Sequence, residues 1–304
     1  MSIAEPNHPR QGVIYGVIAY GCWGLIPLYF KLVSEVAPLE VLAQRVVWSF
    51  VFLALLVSLL GRWTQVRNAM RSGKVVLTLA ASTLLLALNW FTYIYAVSTN
   101  QVVEASLGYF LNPLVNVLIG VTILKERLRP GQFASIVLAA IGVALMGVPL
   151  IAVSLAITFA FYGLLRKTAA VDGLLGLAIE TILLLPLALA YIALIETNGS
   201  AAFNFGDPTT CFKLMASGIV TAVPLLLFTA AARRLRFSTL GFLQYLAPTI
   251  QFLLAVLLFN EPLSNEKLMA FGFIWTAVGL YSFDSLRSYQ QQRSAMLTPA
   301  PADL

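Results

Sequence analysis

Apolar runs of similar length alternate with short connections along this chain, and the connections hold almost all of its charges. A helix needs about 20 apolar residues to cross the hydrocarbon of a bilayer, with a range of about 17–25. Runs near 12–30, 39–60, 75–97, 102–124, 131–147, 149–165, 173–195, 213–232, 238–259 and 267–286 meet that length, which predicts ten spans. Residues 133–165 carry no charge, too long a stretch for one helix and barely enough for two. Gly147-Val148-Pro149 is placed as the turn between them, because Gly favours a helix end and Pro the first position of a helix. With nine spans instead of ten, the second half would insert the other way round.

Charge asymmetry supports ten. If the amino terminus is cytoplasmic, fifteen of the 19 basic residues fall in cytoplasmic connections and tails, and three (Lys31, Lys213 and Lys267) fall outside. Arg45 lies within a span. That bias follows the positive-inside rule and places both termini in the cytoplasm. The expected fold is therefore all-α and integral to the membrane, as two five-helix repeats over residues 12–147 and 149–287. Residues 1–11 and 288–304 are read as cytoplasmic tails, the last from Met296 on disordered. Five is an odd number, so the two repeats are expected to be inverted. A shift of 135 residues relates Pro113 and Glu126 to Pro248 and Glu261, and the same shift relates Arg45 to Glu180. Trp23-Gly24 and Tyr162-Gly163 add a fainter echo. Repeats of this kind build many transporters, with the binding site near the bilayer midplane.

Composition narrows the class. The chain is 60% hydrophobic and 11% charged, with a mean hydropathy of +0.87, against about 45–50% and about 25% in a soluble globule. The net charge of +6 sits in connections between spans, so it gives no reason to expect nucleic acid as a partner. Two cysteines, Cys22 and Cys211, make no disulfide framework. His8 is the only histidine, which leaves no histidine-based metal site, and no cofactor is expected. A polar start running straight into a full span is not the pattern of a cleavable signal peptide.

The span opening at Glu104 holds Asn112, Pro113 and Asn116 among its apolar residues. A carboxylate at the bilayer centre costs about 2.5–3.5 kcal/mol on insertion scales, and Pro removes a helical hydrogen bond. Such groups are kept where they face a cavity or other helices. The candidate cavity residues are Trp23, Asn89, Trp90, Tyr95, Glu104, Tyr109, Asn112, Gln244 and Tyr245; Pro113 and Pro248 are candidate kinks. Arg45 lies about seven residues from the outer face, ~10 Å at the helical rise. It is expected either to pair with Glu104 or to snorkel outward along its own stem. Glu180, with no evident basic partner at its depth although Arg166 and Lys167 lie on the same side, is a candidate proton carrier, substrate contact or packing group. Gly12, Gly16, Gly21 and Gly24 predict a close approach of the first span to a neighbour.

Leu39-Glu-Val-Leu-Ala-Gln-Arg45-Val-Val-Trp48-Ser49, Asn89-Trp90, Glu104-Ala-Ser-Leu-Gly-Tyr-Phe-Leu-Asn-Pro-Leu-Val-Asn116, Phe161-Tyr-Gly-Leu-Leu-Arg-Lys167, Val223-Pro-Leu-Leu-Leu-Phe-Thr-Ala-Ala-Ala232 and Leu235-Arg-Phe-Ser-Thr-Leu-Gly-Phe-Leu-Gln-Tyr245 resemble RarD-type permeases. Those are EamA-domain members of the drug/metabolite transporter superfamily, and the likeness spans residues 11 to about 287. It implies ten helices in two inverted repeats, a bacterial inner membrane, and movement of small molecules, with a family label connected to chloramphenicol sensitivity. Gln44 stands where the family often has His, and the junction at residues 147–149 is a few residues shorter.

The expectation is a secondary transporter, an exporter of small metabolites or drugs by alternating access, with a small-molecule substrate, surrounding lipid, and protons as a candidate coupling ion. A homodimer is compatible with it. No Gly-x-x-x-x-Gly-Lys-Ser/Thr loop is present, so ATP is not its direct energy source. An intramembrane enzyme and a sensor or scaffold stand as alternatives. The first would want clustered acids or a nucleophile with a base. The second would usually carry a soluble output domain, and the connection from Glu196 to Phe212 is too short for one.

Overall fold

A computed structural model describes residues 9–123, 125, 129–147, 149–235, 239 and 243–297. Among them every regular element is helical: α1 Pro9–Lys31, α2 Pro38–Leu59, α3 Trp63–Met70, α4 Gly73–Ser98, α5 Val102–Thr122, α6 Pro130–Leu145, α7 Leu150–Thr168, α8 Gly173–Thr197, α9 Pro208–Arg234, α10 Leu246–Leu253 running into a π-turn Leu254–Leu258, and α11 Asn265–Leu297. Six of these, α1, α2, α4, α5, α8 and α9, are long and apolar enough to cross a membrane, and Pro130–Leu145, Leu150–Arg166 and Leu246–Leu258 are shorter apolar helices. The chain is a multi-pass membrane protein. Its outward faces are apolar, with Leu59, Leu77, Leu84, Leu187, Phe212 and Leu257 well exposed, as suits helices solvated by lipid tails.

Helix ends follow local chemistry. Gly147 adopts φ +68°, the left-handed conformation that stops α6 and lets Leu150 begin α7. Asn100 and Asn260, at φ 57° and 52°, close α4 and the α10 segment in the same way. Asp207 caps α9, accepting from Thr209 N and Thr210 N at 3.1 and 3.2 Å. With Pro208 at the first helical position, α9 starts five residues before the expected boundary.

Three other boundaries differ. The connection expected between residues 60 and 75 contains α3, a single amphipathic helix with Val66 buried and Trp63 and Met70 exposed. The ninth span is helical only from Leu246, after a turn at Gln244–Tyr245. Pro248 therefore sits in a first turn, where its missing N–H is not needed, whereas Pro113 lies inside α5. Last, α11 continues to Leu297 instead of ending near residue 286, since no Pro interrupts it before Pro299. Glu126, which ends the first copy of the sequence repeat, lies outside the described residues, as do Arg127, Arg236, His8 and residues 298–304.

Packing across the halves is reciprocal. Taking α1, α2, α4, α5 and α6 in order for the first half, and α7 to α11 for the second, first packs on third in both directions, α1 on α9 and α7 on α4. First also packs on fourth (α1 on α10, α7 on α5) and second on third (α2 on α9, α8 on α4). Like packs on like in α2 with α8, α5 with α10 and α6 with α11. Among the six long apolar helices α5 is the most enclosed, with Phe110 against Phe271, Trp275 and Tyr245.

Small residues set the close crossings. A methyl group on Gly24 would lie 2.7 Å from Ile250 Cβ of α10, and one on Gly12 would lie 2.9 Å from Arg234 Cβ. Gly16 meets Leu243 at 2.7 Å, whereas Gly21 meets nothing within 4 Å. Gly108 brings α5 onto α7, where an added methyl would sit 2.7 Å from Ala152 O, and Gly218 brings α9 against the backbone of α2 at Trp48.

Candidate functional site

Arg45 is 6% exposed and reaches from α2 into the space between the halves. Its Nε donates to Thr221 Oγ1 of α9 at 2.8 Å. The Thr221 hydroxyl donates in turn to Ser217 O at 2.8 Å, so its proton is committed to its own helix and a lone pair is left for Arg45. The guanidinium carbon lies 4.1 Å from the Trp90 ring centroid and 5.5 Å from that of Phe30. Both distances are within the range in which a cation is attracted to a ring face.

The layer continues from there. Phe30 touches Tyr93, and Tyr93 touches Tyr109, with ring centroids 6.0 and 5.7 Å apart. Tyr109 OH donates to Asn89 Oδ1 at 3.4 Å, and Asn89 Nδ2 donates to Leu155 O at 3.1 Å and Thr158 Oγ1 at 2.9 Å on α7. The amide at mid-span thus finds the partners that hydrocarbon would deny it. Arg45, Asn89, Trp90 and Tyr109, on α2, α4 and α5, form one polar and aromatic layer with their partners on α1, α7 and α9.

Glu180 holds a second cluster. Its Oε1 accepts from Ser82 Oγ of α4 at 2.6 Å, and its Oε2 accepts from Tyr162 OH of α7 at 3.5 Å. Arg166 Nε lies 3.8 Å from Oε1, so one of the two basic residues expected on the same side reaches the carboxylate. Arg166 sits fourteen residues earlier, at the end of the preceding helix, and reaches Glu180 by laying its guanidinium across Gly176. Any side chain at Gly176 would occupy that position.

Because the displaced group is the end of a flexible side chain, Gly176→Ala is expected to break the pair without unfolding the protein. Taking the charged partner away from a buried carboxylate that keeps its hydrogen bonds from Ser82 and Tyr162 costs about 1–3 kcal/mol. The alanine should cost that much in the natural background and almost nothing beside Arg166→Ala. Reversible unfolding in mixed micelles, over the four proteins of the cycle, measures the coupling. Additive losses would mean that Gly176 serves packing alone.

Glu104 does not pair with Arg45. Its carboxylate accepts from Ile151 N at the start of α7, at 3.0 Å. That N–H has no partner within its own helix, and the positive end of the helix dipole attracts the carboxylate. Glu104 and Tyr95 line a cavity of about 710 Å³ at the ends of α5, α6, α7 and α11, with Met146, Ser264 and Lys267. Two buried acids of α2 and the α10 connection act similarly. Glu261 accepts from Val102 N and Val103 N, both at 2.8 Å, at the start of α5. Glu40 accepts from Ala202 N and Phe203 N, each at 2.9 Å, in the connection after α8.

The remaining candidates lie elsewhere. Trp23 packs its ring with Tyr20 and Phe228, centroids 5.4 and 5.6 Å away, and its carbonyl accepts from Gln251 Nε2 at 3.0 Å. Tyr245 stacks on Phe110 at 6.3 Å, and Gln244 is half-buried in the turn before it. Asn112 is buried, and its Oδ1 has no hydrogen-bond partner among the described residues. Sequence reasoning passed over Thr221, Ser82, Thr158 and Glu40. The acid in the first turn of α2 was a usable signal; the hydroxyls offered none that set them apart from other Ser and Thr.

The model of the EamA-like transporter family matches residues 10–148. An uncharacterized transporter of Pseudomonas aeruginosa is 47% identical, over 93% of this chain and 96% of that protein. Protein RarD of Escherichia coli is 43% identical, over 96% of this chain and 99% of that protein. A crystal structure at 21% identity shares the fold, with a TM-score of 0.56 over 90% of this chain and 98% of that one. Full-length likeness at these identities, on a helical multi-pass scaffold, is enough to assign the family: this chain belongs to the EamA-like transporters and, within them, to the RarD-type permeases.

Proposed function

We propose that the protein is a secondary transporter that exports small metabolites or drugs across a bacterial inner membrane by alternating access. On this reading ten spans form two inverted repeats, residues 12–147 and 149–287, with both termini cytoplasmic. The observation that carries it is the reciprocal setting of the two deep charges. Arg45, on the second long helix of the first half, is held by a hydroxyl from the third long helix of the second. Glu180, on the second helix of the second half, is held by a hydroxyl from the third helix of the first. Each also meets an aromatic residue from the first helix of its own half, Phe30 and Tyr162. Buried charges placed alike in two facing halves suit a carrier that exposes its centre first to one side and then to the other.

Glu180 is the proposed coupling group, since a carboxylate shared between Arg166, Ser82 and Tyr162 can hold or release a proton as those partners separate. The test is uptake of labelled amino acids, nucleosides and chloramphenicol into proteoliposomes, with and without a pH gradient. We expect gradient-driven uptake of at least one compound, falling tenfold or more in Glu180→Gln while exchange without a gradient persists. Uptake that ignores both the gradient and the substitution would remove the proton role. No flux of any compound would count against transport itself.

A further inference from the structure

We propose that Arg45 is the anchor for the carboxylate of a small organic anion whose apolar body lies against Trp90, Phe30 and Tyr93. This rests on the transporter reading and names its substrate class. Four charged residues are buried among those described: Glu40, Arg45, Glu180 and Glu261. All three acids have hydrogen-bond donors close by. Arg45 is different. No carboxylate lies within ion-pair distance of it among the described residues, and its one hydrogen bond uses Nε.

The four N–H groups on its two terminal nitrogens have no acceptor among the described residues. Arg45 is 6% exposed, and these nitrogens keep the little open space it has, where a ligand can reach them. A guanidinium carries five donors in a planar fork. Leaving a buried charge uncompensated is strongly unfavourable. Aromatic faces on two sides ease that burden but accept none of the N–H bonds. A carboxylate supplies what is missing: one negative charge and two acceptors spaced for a bidentate contact. The rings beside it offer apolar surface to the rest of such a molecule. A phosphate dianion would bring a second charge, and among the described residues no other basic side chain joins the layer to meet it.

The experiment pairs each acid with its neutral isostere. Purified protein in nanodiscs is titrated with phenylacetate, 3-phenylpropionate and cyclohexylacetate, and with the three corresponding amides. Tryptophan fluorescence is the readout, because Trp90 lies directly under the guanidinium. We expect saturable quenching by the acids, at least tenfold tighter than by the amides. Arg45→Gln should erase the preference, and Arg45→Lys should keep a weakened one. Equal affinity for acid and amide, or no binding of any acid, overturns the proposal. If Arg45→Gln does not fold, the comparison on the natural protein decides alone. Flux of the same labelled compounds separates the two ideas. Amides crossing as fast as acids would leave transport standing and remove the Arg45 site, whereas acid-selective binding without flux would keep the site and count against transport.

Discussion

Gly218→Ala is expected to destabilise the protein by about 3 kcal/mol, at the upper end of what overpacking usually costs. The added methyl would be driven into the carbonyl of Trp48 on α2, with the adjoining Ser49 N 3.1 Å away. Neither is the end of a movable side chain, so the only relief is to part α9 from α2. Those two helices also bring Thr221 to Arg45, so parting them should break the central contact as well as the packing. The measurement is the free energy of reversible unfolding in mixed micelles, beside Gly21→Ala, whose methyl meets nothing within 4 Å. Similar values for the two would show that the α2–α9 crossing can yield.

Glu261→Ala is expected to cost more, about 4–6 kcal/mol. Val102 and Val103 are completely buried, and their N–H groups have no partners within α5. Each orphaned buried donor costs about 1–3 kcal/mol, and those bonded to a charge sit toward the upper part of that range. The carboxylate also lies on the positive end of the α5 dipole. Glu261→Gln should lose roughly half as much, because the two N–H groups bond separate carboxylate oxygens and the amide puts an NH2, a donor, in place of one of them. The same unfolding experiment ranks the three proteins, and a glutamine as costly as alanine would point to the charge instead of the bonds. Glu261 follows α10 and caps α5, so it ties the second half to the first.

What was legible in the sequence follows from which interactions act locally. Gly147 before Pro149 marks the turn between α6 and α7, because a left-handed residue and a helix start are properties of two or three adjacent residues. The enclosure of α5 was legible for a related reason, since Glu104, Asn112 and Pro113 are not kept in a span that faces lipid. Partner choice was not. Span boundaries alone put Arg45 and Glu104 at neighbouring depths, yet they say nothing about which way a helix is turned, and the free N–H of Ile151 took the carboxylate. Thr221 and Ser82 are ordinary hydroxyls in apolar helices, and only the packing of α9 on α2 and of α4 on α8 selects them. Arg166 was assigned to a cytoplasmic connection, and its reach to Glu180 depends on the absence of a side chain at Gly176.

Without a counter-charge nearby, the Arg45 site carries one positive charge when empty and none when a carboxylate fills it. In an alternating-access cycle the loaded carrier would then cross as a neutral body, and the empty carrier would move the charge back. A full elementary charge crossing the field gains or loses about 2.3 kcal/mol per 100 mV. Membrane voltage would therefore act on the return step: with the interior negative, an empty cationic site is drawn toward the cytoplasm, which favours the next round of export.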